Sequence, residues 1–175
     1  MWVFFLGDLA VFAYLFAVYL YHYARSPQLF RSSQPALSVD VGAVNTLILL
    51  GSSFGVVIAM NAMRAHHRNL ASGAIGFAMW CGLGFMAVKA FEYSSHVRNE
   101  QTPGTNEFFA YYYALTGLHL FHVILGMIAL SVLLSSTRKP ELKANQLVWA
   151  EGAACFWHLV DLLWIVIFPL LYVVR

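Results

Sequence analysis

Charge is what this chain has least of: Asp, Glu, Lys and Arg make up 10% of its 175 residues, against roughly 25% in soluble domains. A surface built to face water on all sides is excluded by that shortage. The few charges nearly cancel, ten basic against eight acidic for a net charge of +2, so there is no polyanion-binding field and the balance argues against a nucleic-acid partner. Cysteine is scarce too. Cys81 and Cys155 lie far apart within apolar stretches and outside any C-x-x-C spacing, so neither a disulfide nor a thiolate metal site is indicated, and both are expected as buried thiols. Long polar segments are also missing. The longest loop is about fifteen residues, well under an independent domain, so a single membrane domain spanning 1–175 is expected.

What is present is hydrophobic: 61% of residues, with a mean hydropathy of +0.69. Five apolar stretches approach or exceed the roughly 20 residues that a bilayer-spanning helix requires. They lie near 2–23, 42–63, 71–93, 108–134 and 147–174, and they predict an all-α polytopic membrane protein with five transmembrane helices. The interruptions read as loops: Arg25-Ser26-Pro27, Ser32 to Pro35, Arg64 to Asn69, Val97 to Asn106 with Pro103-Gly104, and Ser135 to Asn145 with Pro140. Pro169 is the exception, set near the end of the last span, where it removes one backbone hydrogen bond that neighbouring groups must replace. With Asp8 inside it, the first stretch is too long and too acidic for a typical signal peptide and is expected to be retained.

Five spans put the termini on opposite faces. Arg64, Arg68, Arg138, Lys139 and Lys143 fall on the amino-terminal face, and Arg25, Arg31, Arg98 and Arg175 on the other. Both loop lysines share the amino-terminal face, which is therefore expected to be cytoplasmic.

Ionisable residues inside spans are costly and require something to face. His158 and Asp161 stand one helical turn apart in Trp157-His158-Leu159-Val160-Asp161-Leu162-Leu163-Trp164. They extend a stripe Glu151, Ala154, His158, Asp161 at helical spacing. The fourth span carries Thr116, His119, Val123 and Gly126, with His122 beside them, and the third carries Lys89, Glu92 and His96. Polar residues alternating with Gly or Ala are what a membrane helix presents to other helices, so these stripes are expected to point inward. Asp8 and Asn45 stand more isolated. Gly51, Gly55 and Ala59 form a small-residue seam on the second span, most simply packed on the first helix. The run Tyr111-Tyr112-Tyr113 and Trp149 are expected at the interfacial belt. Three readings of the polar set stand open: a metal or haem site built from the histidines and carboxylates, a proton or ion path, or a structural network that satisfies itself and binds lipid phosphates.

Three stretches, TGLHLFHVILG at Thr116 to Gly126, WHLVDLLWIVIFPLLYVVR at Trp157 to Arg175, and FEYSSH at Phe91 to His96, resemble subunit III of the haem–copper oxidases, the cytochrome c oxidase subunit III family. The likeness covers nearly the whole chain. It is strongest to a short bacterial branch that includes five-helix oxidase subunits and accessory proteins encoded beside nitric oxide reductase. The resemblance implies two amino-terminal helices and a bundle of three, separated by a V-shaped cleft that binds phospholipid. It implies no catalytic residue, no haem, no copper and no other metal in this chain; haem and copper belong to partner subunits. The implied partners are the haem–copper catalytic subunit I, other oxidase subunits and membrane lipids, in a bacterial plasma membrane.

Residue by residue, Asp8 stands where many members carry a carbodiimide-reactive glutamate, keeping the carboxylate but one methylene shorter, and so is the implied proton-related residue. His119, His122, His158 and Asp161 match family positions, Glu92 matches the acid of the Glu-Tyr pair, and Glu151 sits where an acid begins the last helix; these form the expected structural polar network. Arg64, His66, His67 and Arg68, in the loop after the second span, are the expected lipid-headgroup donors, as basic groups at a helix end. The implied role is a non-catalytic subunit that stabilises subunit I and supports proton uptake. The alternatives are an accessory subunit of a nitric oxide reductase complex and, from another class, a free-standing membrane metalloprotein or proton channel.

Overall fold

The computed structural model describes residues 2–137 and 144–174. Its long helices are α1 (Trp2–Arg25), α3 (Val39–Arg64), α4 (Arg68–Arg98), α5 (Glu107–Thr137) and α6 (Ala144–Phe168); α2 (Pro27–Ser33) is short. A 3-10 turn covers Gln34–Ala36, and a π-helical turn, Pro169–Val173, ends the last span. Five helices among the described residues are long and apolar enough to cross a membrane: Phe5–Arg25, Val39–Arg64, Arg68–Arg98, Glu107–Thr137 and Leu147–Val173. The chain is all-α and polytopic. Residues 138–143, with Arg138, Lys139, Pro140 and Lys143 of the expected loop and charge comparison, and Arg175, lie outside the described residues.

Part of the first expected loop is helical. Pro27 sits at the start of α2, where its missing N–H has no helical partner to lose. The hydroxyls of Ser32 and Ser33 both donate to the Leu29 carbonyl, and Phe30 is buried edge-on against Tyr19, Tyr23 and Phe108. That anchoring folds the connection back onto α1 and α5.

The small-residue seam of α3 packs against α4, correcting the expectation of α1. A Cβ on Gly55 would stand 3.2 Å from the Ala74 carbonyl oxygen and 3.0 Å from Phe77, and Ser52 donates to the Ala78 carbonyl at 3.0 Å. Two backbones approach that closely only where side chains are absent or small. The division into two amino-terminal helices and a bundle of three is likewise not what forms. Helices α3 to α6 build one four-helix body, with α3 on α4 and α6 and α5 on α4 and α6, while α1 lies along its α5–α6 side. The reason is local: Phe12 and Tyr19 of α1 are fully buried, Phe12 against His122 and Tyr19 against Tyr111, both on α5.

The carbonyls of Pro169, Leu170, Leu171 and Val174, at the end of the last span, have partners. The π turn closes through Val174 N–H to the Pro169 carbonyl at 2.9 Å. Tyr19 donates its hydroxyl to the Leu170 carbonyl at 3.3 Å, and Gln34 donates to the carbonyls of Leu171 and Val174. A helix end inside a membrane cannot leave carbonyls unpaired, so α1 and the turn after α2 are tied to the end of the last span.

Candidate functional site

The polar residues of the spans gather into separate clusters inside the bundle. The largest joins α4, α5 and the π turn. Lys89, fully buried, donates to Glu92 Oε2 at 2.9 Å and to the Tyr172 hydroxyl at 2.6 Å. Tyr112 and Tyr172 both donate to Glu92 Oε1. The ammonium also lies over the rings of Trp164, Tyr172 and Tyr112, at 4.8, 5.2 and 5.3 Å from their centroids. Charge, hydroxyls and π faces thus close on one another, the condition under which an ion pair survives burial. His96, one turn beyond, places Nε2 3.8 Å from Glu92 and bonds through Nδ1 to Gln101 at 2.7 Å. Beside it Thr116 donates to the Tyr112 carbonyl, which leaves its oxygen to accept from the Tyr93 hydroxyl at 2.6 Å.

Asp8 is not isolated. Its Oδ1 lies 2.8 Å from His122 Nε2, and both side chains are nearly buried between α1 and α5. His122 Nδ1 stands 2.7 Å from the Leu118 carbonyl oxygen. A carbonyl only accepts, so Nδ1 carries a hydrogen. Nε2 is therefore the nitrogen that faces the carboxylate.

A third cluster lies between α3 and α6. Trp157 donates its indole N–H to Ser52 Oγ at 3.0 Å, Trp164 donates to Thr46 Oγ1 at 3.0 Å, and Ser53 Oγ is 2.6 Å from His158 Nδ1. Asp161 is buried one turn beyond His158, and among the described residues neither carboxylate oxygen makes a hydrogen bond. His119 is enclosed between Phe85 and Trp164, ring centroids 5.6 and 5.2 Å away, and neither of its nitrogens has a partner among the described residues. Asn45 is equally buried, and its side chain has no hydrogen-bond partner among the described residues. Such enclosed polar groups are where bound water or a proton resides in folded proteins. Among the described residues, no three His, Cys, Asp or Glu side chains converge as a metal-holding group.

At the amino-terminal-face end of the bundle, Arg64 pairs with Glu151 at 2.8 Å, both well exposed. Glu151 therefore stands outside the inward stripe on which its spacing placed it; Ala154 and Asp161 of the same stripe are buried. His66, His67 and Arg68 border an open depression of about 670 Å³ with Asn69 and Leu70. An apolar groove of about 540 Å³ opens at the same end, between the start of α1 and helices α5 and α6, lined by residues including Phe5, Leu125, Val132, Ala153 and Phe156.

A family model described as Cytochrome c oxidase subunit III matches residues 1–174. The chain belongs to this family. Among its relatives, cytochrome c oxidase subunit 3 of Synechocystis sp. is 32% identical over 171 residues, covering 97% of this chain and 72% of the relative. The cytochrome bo(3) ubiquinol oxidase subunit 3 of Pseudomonas putida is 28% identical over 174 residues, covering 98% and 82%. A protein of Aeropyrum pernix named heme-copper oxidase subunit I+III is 28% identical over 181 residues, covering 99% of this chain and 22% of its own length. This chain is therefore a subunit III of the haem–copper oxidase type, and a multi-pass membrane protein.

In this subunit III the sequence stripes locate Thr116, His119, His122, Lys89, His96 and Asp161 in the interior. Reading by residue type missed Tyr112 and Tyr172. Tyr112 was expected at the interfacial belt and is instead fully buried, completing the Glu92 cluster. It lies one turn before Thr116 on the same stripe, and that period was the available signal. The expectation of two buried thiols also needs correction: Cys155 is exposed, because it lies on the outward side of α6, and Cys81 is half-buried.

Proposed function

We propose that this chain is the non-catalytic subunit III of a respiratory, proton-pumping haem–copper oxidase, stabilising the catalytic subunit, holding phospholipid and supporting proton uptake. The association is supported by the Aeropyrum pernix relative, whose name joins subunits I and III in one polypeptide and which aligns with nearly all of this chain. Relatives named for cytochrome c and for ubiquinol both align along its length, so the proposed role is independent of the electron donor. The chain then sits in a bacterial plasma membrane with its amino-terminal face cytoplasmic. It carries no redox centre, with haem and copper in the partner.

The observation that carries the proton-supporting role is the 2.8 Å contact between Asp8 Oδ1 and His122 Nε2, nearly buried between α1 and α5. A carboxyl group and an imidazole in contact inside a span are the residue types from which membrane proteins build proton relays. Lipid binding is supported by the apolar groove and by the basic segment His66, His67 and Arg68, both at the same end of the bundle. Arg64 is engaged with Glu151 and takes a smaller part.

The test has two arms. Chain tagged at its carboxyl end and purified gently from native membranes should bring down a haem–copper catalytic subunit, identified by mass spectrometry; recovery alone would overturn the subunit role. In the assembled complex, Asp8→Asn should slow proton uptake and shorten catalytic lifetime. Unchanged values would overturn the proton role and leave the association standing.

A further inference from the structure

We infer that the outer seam between α3 and α6, centred on His158, is the surface on which a transmembrane helix of the catalytic subunit docks. That helix would place an uncharged hydrogen-bonding side chain, a hydroxyl or carboxamide, against His158 Nε2. The inference rests on the subunit reading above and names the face through which it operates.

His158 lies near the middle of the span Leu147–Val173, and Ser53 near the middle of Val39–Arg64. The histidine is half-buried. Its Nδ1 is taken by Ser53 at 2.6 Å, while Nε2 has no hydrogen-bond partner among the described residues and is not among the enclosed unpartnered atoms. His119 and Asp161 differ on that point: their unpartnered atoms are sealed inside the bundle and no outside group reaches them. An imidazole nitrogen turned outward at mid-span meets the hydrocarbon region, where water and lipid headgroups are absent and acyl chains offer no donor or acceptor. A lipid therefore cannot satisfy it. A polar side chain on a neighbouring transmembrane helix can, and such bonds are a recurrent means of membrane-helix association.

The surroundings suit a helix. Leu50 and Val57 of α3 and Leu162 and Ile165 of α6 are exposed and lie at helical spacing about Ser53 and His158, giving apolar shoulders on both sides of one polar centre. At the amino-terminal-face end of the same seam stands the exposed Arg64–Glu151 pair. Ser53 also sets the chemistry of the partner. If its hydroxyl donates to Nδ1, then Nε2 carries the hydrogen and donates outward; if it accepts from Nδ1, Nε2 accepts. A hydroxyl or a carboxamide answers either state.

The experiment is site-specific photocrosslinking in native membranes, with a photoreactive amino acid placed singly at Leu50, at Leu162, and at Trp80, which is exposed on α4. Crosslinks to the haem–copper catalytic subunit from Leu50 and Leu162, at least tenfold above those from Trp80, are expected. Crosslinks from Trp80 alone, with the subunit still co-purifying, would overturn this surface and leave the subunit reading intact; absence of any co-purifying catalytic subunit would overturn both. A second measurement isolates the histidine. His158→Leu should lower the recovered catalytic subunit about tenfold while His158→Gln keeps it near wild type, with equal melting of the isolated chains in detergent. Equal recovery from both variants would overturn the role of Nε2.

Discussion

Trp157 lies against Gly126 so closely that a Cβ on the glycine would stand 2.6 Å from the indole Cε3. Gly82 receives the far edge of the same indole, its own notional Cβ 3.0 Å from Cη2 and 2.7 Å from the Met127 sulfur. One tryptophan from α6 is thus slotted between glycines of α4 and α5.

Gly126→Ala should therefore force the indole to move, and overpacking of this kind costs about 1–3 kcal/mol. Thermal unfolding in detergent is the measurement. Gly84→Ala, where nothing stands within 4 Å of the added methyl, serves as the control and should melt at or above wild type.

The same indole donates to Ser52, which in turn donates to the Ala78 carbonyl. Ser52→Ala removes the acceptor and leaves a buried N–H without a partner, at a cost of about 1–3 kcal/mol. Indole fluorescence of the folded chain should change with it, and an unchanged melting temperature would remove Ser52 from the account of how α3 is held to α6.

Lys89 and Glu92 should behave as a unit. Lys89→Met alone leaves the carboxylate buried without its cation and Glu92→Gln alone leaves the ammonium, each costing about 3–5 kcal/mol. The double variant should recover much of that loss, because no buried charge remains. Additive losses in the cycle, read from unfolding of the purified chain, would mean that the two side chains are not coupled.

Asp8 separates proton chemistry from stability. Asp8→Asn can still donate to His122 Nε2, so its melting should stay near wild type, whereas Asp8→Leu leaves Nε2 unpaired at about 1–3 kcal/mol. Equal stabilities for the two would show that the pair does not hold α1 against α5.

Much of the interior was legible from spacing. A charged or imidazole side chain is expensive in hydrocarbon, so a stripe such as Thr116, His119, Val123 and Gly126 at helical period predicts which side of α5 turns inward, and those residues are buried. Glu151 obeyed the same period but stands in the first third of α6, where its carboxylate reaches Arg64 and remains exposed. Period fixes a direction around the helix axis and says nothing about depth. By residue type Tyr112 looks like an interfacial aromatic, while its place on the α5 stripe carries the better information, and it is buried.

Helix pairing was harder to read. The seam Gly51, Gly55, Ala59 announces close approach without naming the neighbour, and α4 took the place expected of α1. In a membrane the surroundings are as apolar as the helices, so burial alone ranks no partner above another, and the choice falls to shape and to hydrogen bonds between residues distant in sequence. The bonds from Tyr19 and Gln34 to the carbonyls beyond Pro169 are of that kind.

By itself, then, the sequence determined the number of spans, their inward faces and the need of every intramembrane charge for a partner, because hydrophobic length and helical period are local properties. Only the tertiary structure decided which of them met which partner: Asp8 with His122, Lys89 with Glu92 and Tyr172, His158 with Ser53 on the inner side alone. Those pairings depend on crossing geometry and close packing between helices, which no single segment encodes.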